Sequence, residues 1–203
     1  NWDPSIISFH DLVIEENPSD FLSKPYPFYL AYAIENEISE LGDVKNWSVE
    51  HKWDGIRAQV IFREGNVFVW SRGEELVTDK YPEFHRLVDQ IPDGTVIDGE
   101  ILPFPDGAIG TFHDLQTRIG RKTVTKALLN KTPVILKAYD LLEWEGKDIR
   151  SLPYDKRREL LESLYDDFCH SRPDQEPIHN NTLQLSEKLY FNSWAEVVNE
   201  RTK

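Results

Sequence analysis

The run Glu50-His51-Lys52-Trp53-Asp54-Gly55-Ile56-Arg57 decides how the rest of the chain is read. It follows a short apolar run, Trp47-Ser48-Val49, and leads into a stretch where Ile56, Ala58, Val60 and Phe62 alternate with Arg57, Gln59 and Arg63. That period of two, interrupted only by Ile61, marks a half-buried strand. If residues 47–52 are also a strand, Glu50 and Lys52 share a face, because side chains alternate. Lys52 then stands at the mouth of a sheet between two carboxylates, Glu50 and Asp54, with Gly55 letting another group approach closely. This makes Lys52 a candidate covalent nucleophile. A free lysine has a pKa of about 10.4, so holding one neutral at neutral pH costs about 4.6 kcal/mol. Acidic neighbours alone worsen that cost; desolvation, nearby cations or a metal must offset it. Taken by itself, the lysine reads as a surface ion pair.

Working outward, Glu64-Gly65-Asn66 is a hairpin loop and Val67-Phe68-Val69-Trp70 the returning strand, ending in Ser71-Arg72-Gly73. Pro82 opens a predicted helix with Phe84, Leu87, Val88 and Ile91 at i, i+3, i+4 and i+7. Thr95 to Leu102 is a strand, Thr111 caps a helix that Gly120 ends, and a further helix spans roughly 123–130. Val134 to Asp140 is an apolar strand. Residues 154–169 form the clearest helix, through Leu160, Leu161, Leu164, Tyr165 and Phe168. A polar loop, 171–181, precedes a strand at 182–185, and Ser193 caps a last helix with Trp194, Val197 and Val198 inward. Residues 28–41 carry little signal. The sum is an α+β domain of mostly antiparallel sheets with packed helices.

A chain of 203 residues with 39% hydrophobic content, 10 Phe, 8 Tyr and 6 Trp is ample for a packed core. No apolar run approaches a membrane span, and the N-terminus is not a signal peptide. One cysteine, Cys169, excludes an internal disulfide and fits a reducing compartment. A chain without methionine is expected to be a piece of a longer protein. The net charge of −13 argues against indiscriminate nucleic-acid binding. Yet Arg118, Arg121, Lys122, Lys126 and Lys131 occur with no acid between them. That stripe is either a solvated helix face or a contact for a phosphate backbone.

Three more short motifs weaken the ion-pair reading of Lys52. Arg72 ends a strand with a guanidinium able to fork onto a phosphate. Asp98-Gly99-Glu100 puts two carboxylates on one strand face, with a glycine clearing the other. Ala138-Tyr139-Asp140-Leu141-Leu142 places an aromatic, able to stack on a base, late in a buried strand. In this order, Glu50-x-Lys52-x-Asp54-Gly55-x-Arg57 and its companions resemble the motifs of the covalent nucleotidyltransferases: DNA ligases, RNA ligases and mRNA capping enzymes. Trp53 to Gln59, Leu115 to Lys122 and the entry phrase Pro25-Tyr26-Pro27-Phe28-Tyr29-Leu30-Ala31 resemble bacterial ATP-dependent DNA ligases in particular.

The resemblance implies an ATP-grasp-like nucleotidyltransferase (adenylation) domain over residues 25–203, incomplete at its C-terminal end. The family's later glutamate and lysine motifs and its oligonucleotide-binding domain are then missing. Residues 1–24 are expected to be a linker or the tail of a preceding DNA-binding domain. It implies that Lys52 takes AMP from ATP, that Glu50 and the backbone at His51 read adenine, and that Tyr139 stacks on it. Arg57 would hold the nucleotide near ribose and phosphate, Glu100 the ribose or a Mg2+ (or Mn2+) ion, and Asp54 metal-bound water. Arg72 would bind the 5′-phosphate of nicked double-stranded DNA, and Arg118, Arg121 and Lys122 its backbone. It further implies a monomeric, cytoplasmic, nucleoid-associated bacterial enzyme of replication, repair and recombination. An RNA ligase or capping-type guanylyltransferase is the rival with the same lysine chemistry. A non-catalytic DNA-binding or scaffold fragment of this fold is the rival without it.

Overall fold

The computed structural model describes residues 22–121, 123–170 and 182–201. Its centre is a six-stranded sheet in the order β3-β2-β4-β5-β6, with β7 also pairing with β5. The strands are β2 (Ile56–Arg63), β3 (Asn66–Ser71), β4 (Thr95–Pro103), β5 (Val134–Trp144), β6 (Lys147–Asp148) and β7 (Leu183–Leu185). All pairings in it are antiparallel except β5 with β7. A two-stranded ribbon, β1 (Val49–Glu50) with β8 (Lys188–Leu189), stands apart from it. Among the described residues the α-helices are α1 (Phe112–Ile119), α2 (Lys126–Lys131), α3 (Tyr154–His170) and α4 (Trp194–Arg201). The expected α+β class, with mostly antiparallel sheet and packed helices, is the observed one.

Local chemistry accounts for the turns. Glu64 and Gly65, at φ 50° and 67°, join β2 to β3, and Glu145 and Gly146, at φ 48° and 76°, join β5 to β6. Two consecutive positive φ values give the primed two-residue turn whose twist matches that of the flanking strands. In α1, the Asp114 carboxylate accepts hydrogen bonds from both the amide and the hydroxyl of Thr111, at 2.9 and 2.8 Å, closing the first turn.

One sheet face makes the main core. Ala58, Val60 and Phe62 of β2, Ile97 and Ile101 of β4, and Leu136, Ala138 and Leu141 of β5 pack there with Phe84, Leu115, Leu161, Leu164 and Phe168. The opposite face is a row of charge. Arg57, Gln59 and Arg63 of β2 lie beside Asp98 and Glu100 of β4 and Lys137, Tyr139, Asp140 and Glu143 of β5. Only a small apolar cluster, Ile61, Val96 and Leu142 with Tyr26, Phe68 and Trp70, interrupts it. Residues from Leu22 to Tyr29 cross this face without strand pairing. Gln59 receives the Tyr26 amide at 2.8 Å and donates to the Tyr26 carbonyl at 2.9 Å. Arg63 donates to the carbonyls of Leu22 and Lys24, and Arg57 to that of Tyr29.

Four expectations are corrected. The predicted strand 47–52 is regular only at Val49–Glu50, and Lys52 lies in an irregular loop. The predicted helix from Pro82 is a 3-10 helix, Pro82–Leu87, still burying Phe84 and Leu87. Its start has no capping side chain, so only the tighter turn forms. Val198 in α4 is 43% exposed, whereas Trp194 of the same helix is partly buried. There Trp194 donates to the Gly42 carbonyl at 2.7 Å and meets Trp47 edge-on at 6.0 Å. The β5 strand also runs four residues beyond Asp140, to Trp144. The expected loop 171–181 lies outside the described residues.

Candidate active site

The loop that carries Lys52 is held from three sides. Gly55 is pressed so hard on β4 that an added Cβ would stand 2.2 Å from the Ile101 carbonyl oxygen and 2.7 Å from Leu102. No residue but glycine fits. The Gly55 amide donates to Glu100 Oε1 at 3.1 Å. On the other flank, Trp53 Nε1 donates to Ser186 Oγ at 3.0 Å, and the Lys137 ammonium sits 5.0 Å from the Trp53 ring centroid. Lys137 is buried, donating to Glu187 at 2.8 Å and to the Leu185 carbonyl at 3.2 Å. Lys52 itself is exposed at the tip of this loop, as are His51 and Asp54.

Beneath the loop, burial dominates the electrostatics of Glu100. It pushes the carboxyl up to about 7, against the Gly55 amide and the charges of Arg57 and Lys52, which all pull it down. Asp98 is buried and receives Arg57 at 2.9 and 3.2 Å. Tyr139 donates to Asp98 Oδ1 at 3.3 Å, and burial pushes its phenol well up. The register slips here, with Gly99 opposite Ala138 but Asp98 opposite Asp140, which leaves Tyr139 as an extra residue in β5. Such a bulge re-aims a side chain. Tyr139 shares the charged face with Lys137 by alternation, within 5.8 Å of the Arg57 guanidinium, and the bulge adds Asp140 to that face. Gly99 meets the Lys137 carbonyl on the opposite side, where a Cβ would lie at 2.7 Å.

Glu50 lies on the ribbon, opposite Lys188. Its Oε1 receives Tyr154 at 2.8 Å and faces Arg158 Nη1 at 3.8 Å. Arg72 follows β3, exposed, with its amide donating to the Arg57 carbonyl at 3.0 Å.

The basic stripe needs correction. Arg118 is fully buried, not available to a DNA backbone. Its guanidinium donates to Glu83 at 2.6 Å, to the Lys80 carbonyl at 2.6 and 2.8 Å and to the Thr132 carbonyl at 2.9 Å, over the Tyr81 ring. An acid-free run in sequence does not reveal acids such as Glu83 that arrive from elsewhere. Arg121 is exposed, and Lys122 lies outside the described residues.

For a metal, Asp54 and Glu100 are the expected carboxylates. Among the described residues no three His, Cys, Asp or Glu side chains converge as a ready cage. Two carboxylates completed by phosphate oxygens and water suit magnesium, which rarely takes an all-protein cage. Sequence reasoning passed over Lys137, Trp53, Glu187, Tyr154 and Arg158. Trp53 stood inside the motif phrase without a role of its own, and Lys137 left a trace as the one charge inside the apolar run 134–139.

The four motifs thus assemble a loop-borne lysine over a charged sheet face that also carries Tyr139. Solved structures share the fold. A mycobacterial DNA ligase D complexed with ATP and MES aligns with a TM-score of 0.58 at 27% identity, covering 79% of this chain and 46% of that one. The ligase domain of M. tuberculosis LigD aligns equally well. Residues 29–200 match the family "ATP dependent DNA ligase domain". The chain belongs to that family. A probable DNA ligase of Koribacter versatilis is 30% identical over 166 residues, covering 82% of this chain and 29% of that protein. The multifunctional non-homologous end joining protein LigD of Mycolicibacterium smegmatis is 29% identical over 156 residues, covering 76% of this chain and 19% of its own length. The chain thus spans under a third of these curated relatives. No helix among the described residues is long and apolar enough to cross a membrane.

Proposed function

We propose that this chain performs the adenylation chemistry of an ATP-dependent DNA ligase that seals nicks. The supporting observation is the Lys52 loop, locked by Gly55 and Trp53 above Glu100, beside the bulged Tyr139. The Lys52 amine attacks the α-phosphorus of ATP: a P–N bond forms and the bond to the bridging oxygen breaks. Pyrophosphate leaves with the electron pair, and the amine proton passes to solvent. Glu50 and the His51 backbone read adenine, Tyr139 stacks on it, and Arg57, kept in place by Asp98, lies by the ribose and α-phosphate. Arg72, without a side-chain partner among the described residues, takes the 5′-phosphate of the nick. That phosphate then attacks the AMP phosphorus, the P–N bond breaks and Lys52 recovers its proton. The 3′-hydroxyl finally displaces AMP.

Asp54 and Glu100 are the side chains that would hold a magnesium or manganese ion, which supplies positive charge against the phosphates. Arg121 and Lys122 are left as the backbone contacts of the basic run. Residues 25–203 form the adenylation domain, further segments complete it, and 1–24 lead from a preceding DNA-binding domain. The enzyme works as a monomer beside the bacterial nucleoid.

Incubation of the full-length protein with labelled ATP or GTP tests this reading. It expects an acid-labile adduct from ATP, lost in Lys52→Ala; an adduct from GTP instead would make the protein a capping-type guanylyltransferase.

A further inference from the structure

The geometry points to Arg158 and Tyr154 of α3 as positioning residues that set the choice of purine by fixing one oxygen of Glu50. The inference rests on the reading of Glu50 as the group facing the base. Tyr154 and Arg158 are four residues apart and so share one face of α3. Three groups converge on the same carboxylate oxygen. Tyr154 donates to Glu50 Oε1 at 2.8 Å, Ser48 Oγ donates to it at 3.4 Å, and Arg158 Nη1 stands 3.8 Å away. Glu50 Oε2 has no partner among the described residues. The carboxylate is thereby divided into an oxygen held by the protein and an oxygen left to a ligand.

The Arg158 side chain is 2% exposed, its Nε donates to Glu162 at 2.7 Å and its Nη2 to the Ser186 carbonyl at 2.7 Å. Nη1 is buried and has no hydrogen-bond partner among the described residues. A buried donor left unpaired is rare and calls for an explanation. Here the Glu50 oxygen faces it at 3.8 Å. The same arginine, through Ser186, is tied to the Trp53 indole and so to the Lys52 loop. The charge and the hydroxyl keep Glu50 an acceptor of fixed orientation. An acceptor suits the 6-amino group of adenine, which donates, and repels the 6-oxo group of guanine, which accepts. A site built to bind a polar group rejects an analogue lacking it, because the site's own buried group is left unpaired.

The test compares ATP with purine riboside triphosphate, which lacks the 6-amino group, in formation of the lysine adduct by the full-length protein. Wild type should favour ATP by tenfold or more in kcat/KM. Tyr154→Phe and Arg158→Met should bring that ratio to within about threefold of unity, with the loss in KM for ATP and not in kcat. Arg158→Lys, which keeps the charge, should recover part of the ratio. Tyr154→Phe removes only a hydroxyl and serves if Arg158→Met does not fold. Unchanged ratios in folded variants would overturn the positioning role and leave the ligase reading standing. No adduct from ATP in wild type would overturn both.

Discussion

Glu100 accepts the amide of Gly55 at 3.1 Å, and the same glycine stands against the Ile101 carbonyl with no space for a side chain. One contact thus joins the strand that carries the carboxylate to the loop that carries Lys52. Replacing Gly55 by Ala must push that loop off β4, since the clashing atom is backbone and cannot rotate away. Adenylation should fall by at least a hundredfold in Gly55→Ala, while circular dichroism retains the sheet. Wild-type rates in Gly55→Ala would show that the loop is not held here.

Glu100 also makes stability depend on pH. Its carboxyl ionises near 4.5 when unfolded and near 7 in the fold. Between those values the folded chain holds a proton that the unfolded chain has lost, so this contribution is full below about 4.5 and gone above about 7. Partial exposure reduces it to on the order of 1–2 kcal/mol. Urea denaturation in EDTA from pH 4.5 to 7.5 should show this decline in wild type and a flatter profile in Glu100→Gln. Parallel profiles would contradict the assignment.

Arg118 and Arg121 are close in sequence and opposite in role. Truncating Arg118 leaves Glu83 and two carbonyls without their partner, and breaking a buried pair costs about 3–5 kcal/mol. Arg118→Ala should therefore lower Tm sharply. Arg121→Glu should leave Tm unchanged and weaken nicked-DNA binding with a shallower salt slope. A salt slope identical to wild type would make Arg121 ordinary surface.

Gln59 is the anchor for the entry segment. Gln59→Leu leaves both backbone groups of Tyr26 unpaired, a cost of about 1–3 kcal/mol. Hydrogen exchange of the Tyr26 amide should accelerate at least tenfold, with β4 protection retained. Slow exchange in the variant would mean another group holds the segment.

The strands, hairpin and main helices were legible because hydrophobic period and turn chemistry are local. Phe84 and Leu87 were correctly seen as core although their element is a 3-10 helix, since both helices bring i and i+3 together, and Ile91 is core beyond its end. The site was legible as four short motifs in order, and Gly55 and Gly99 as close-approach glycines. What could not be read was pairing across the chain: Glu83 under Arg118, Tyr154 and Arg158 behind Glu50, Ser186 on Trp53. Those partners lie 35 to 133 residues apart. The bulge that adds Asp140 to the face of Tyr139 leaves no sequence signature either, because it depends on the register between β4 and β5.

The central claim is that Lys52 is the nucleophile. Intact mass spectrometry of the full-length protein, incubated with ATP and magnesium, measures it directly. The account predicts a gain of one AMP per chain that pyrophosphate reverses and that Lys52→Ala and Lys52→Arg both lack. No gain in wild type, or a gain that persists in Lys52→Ala, would contradict it.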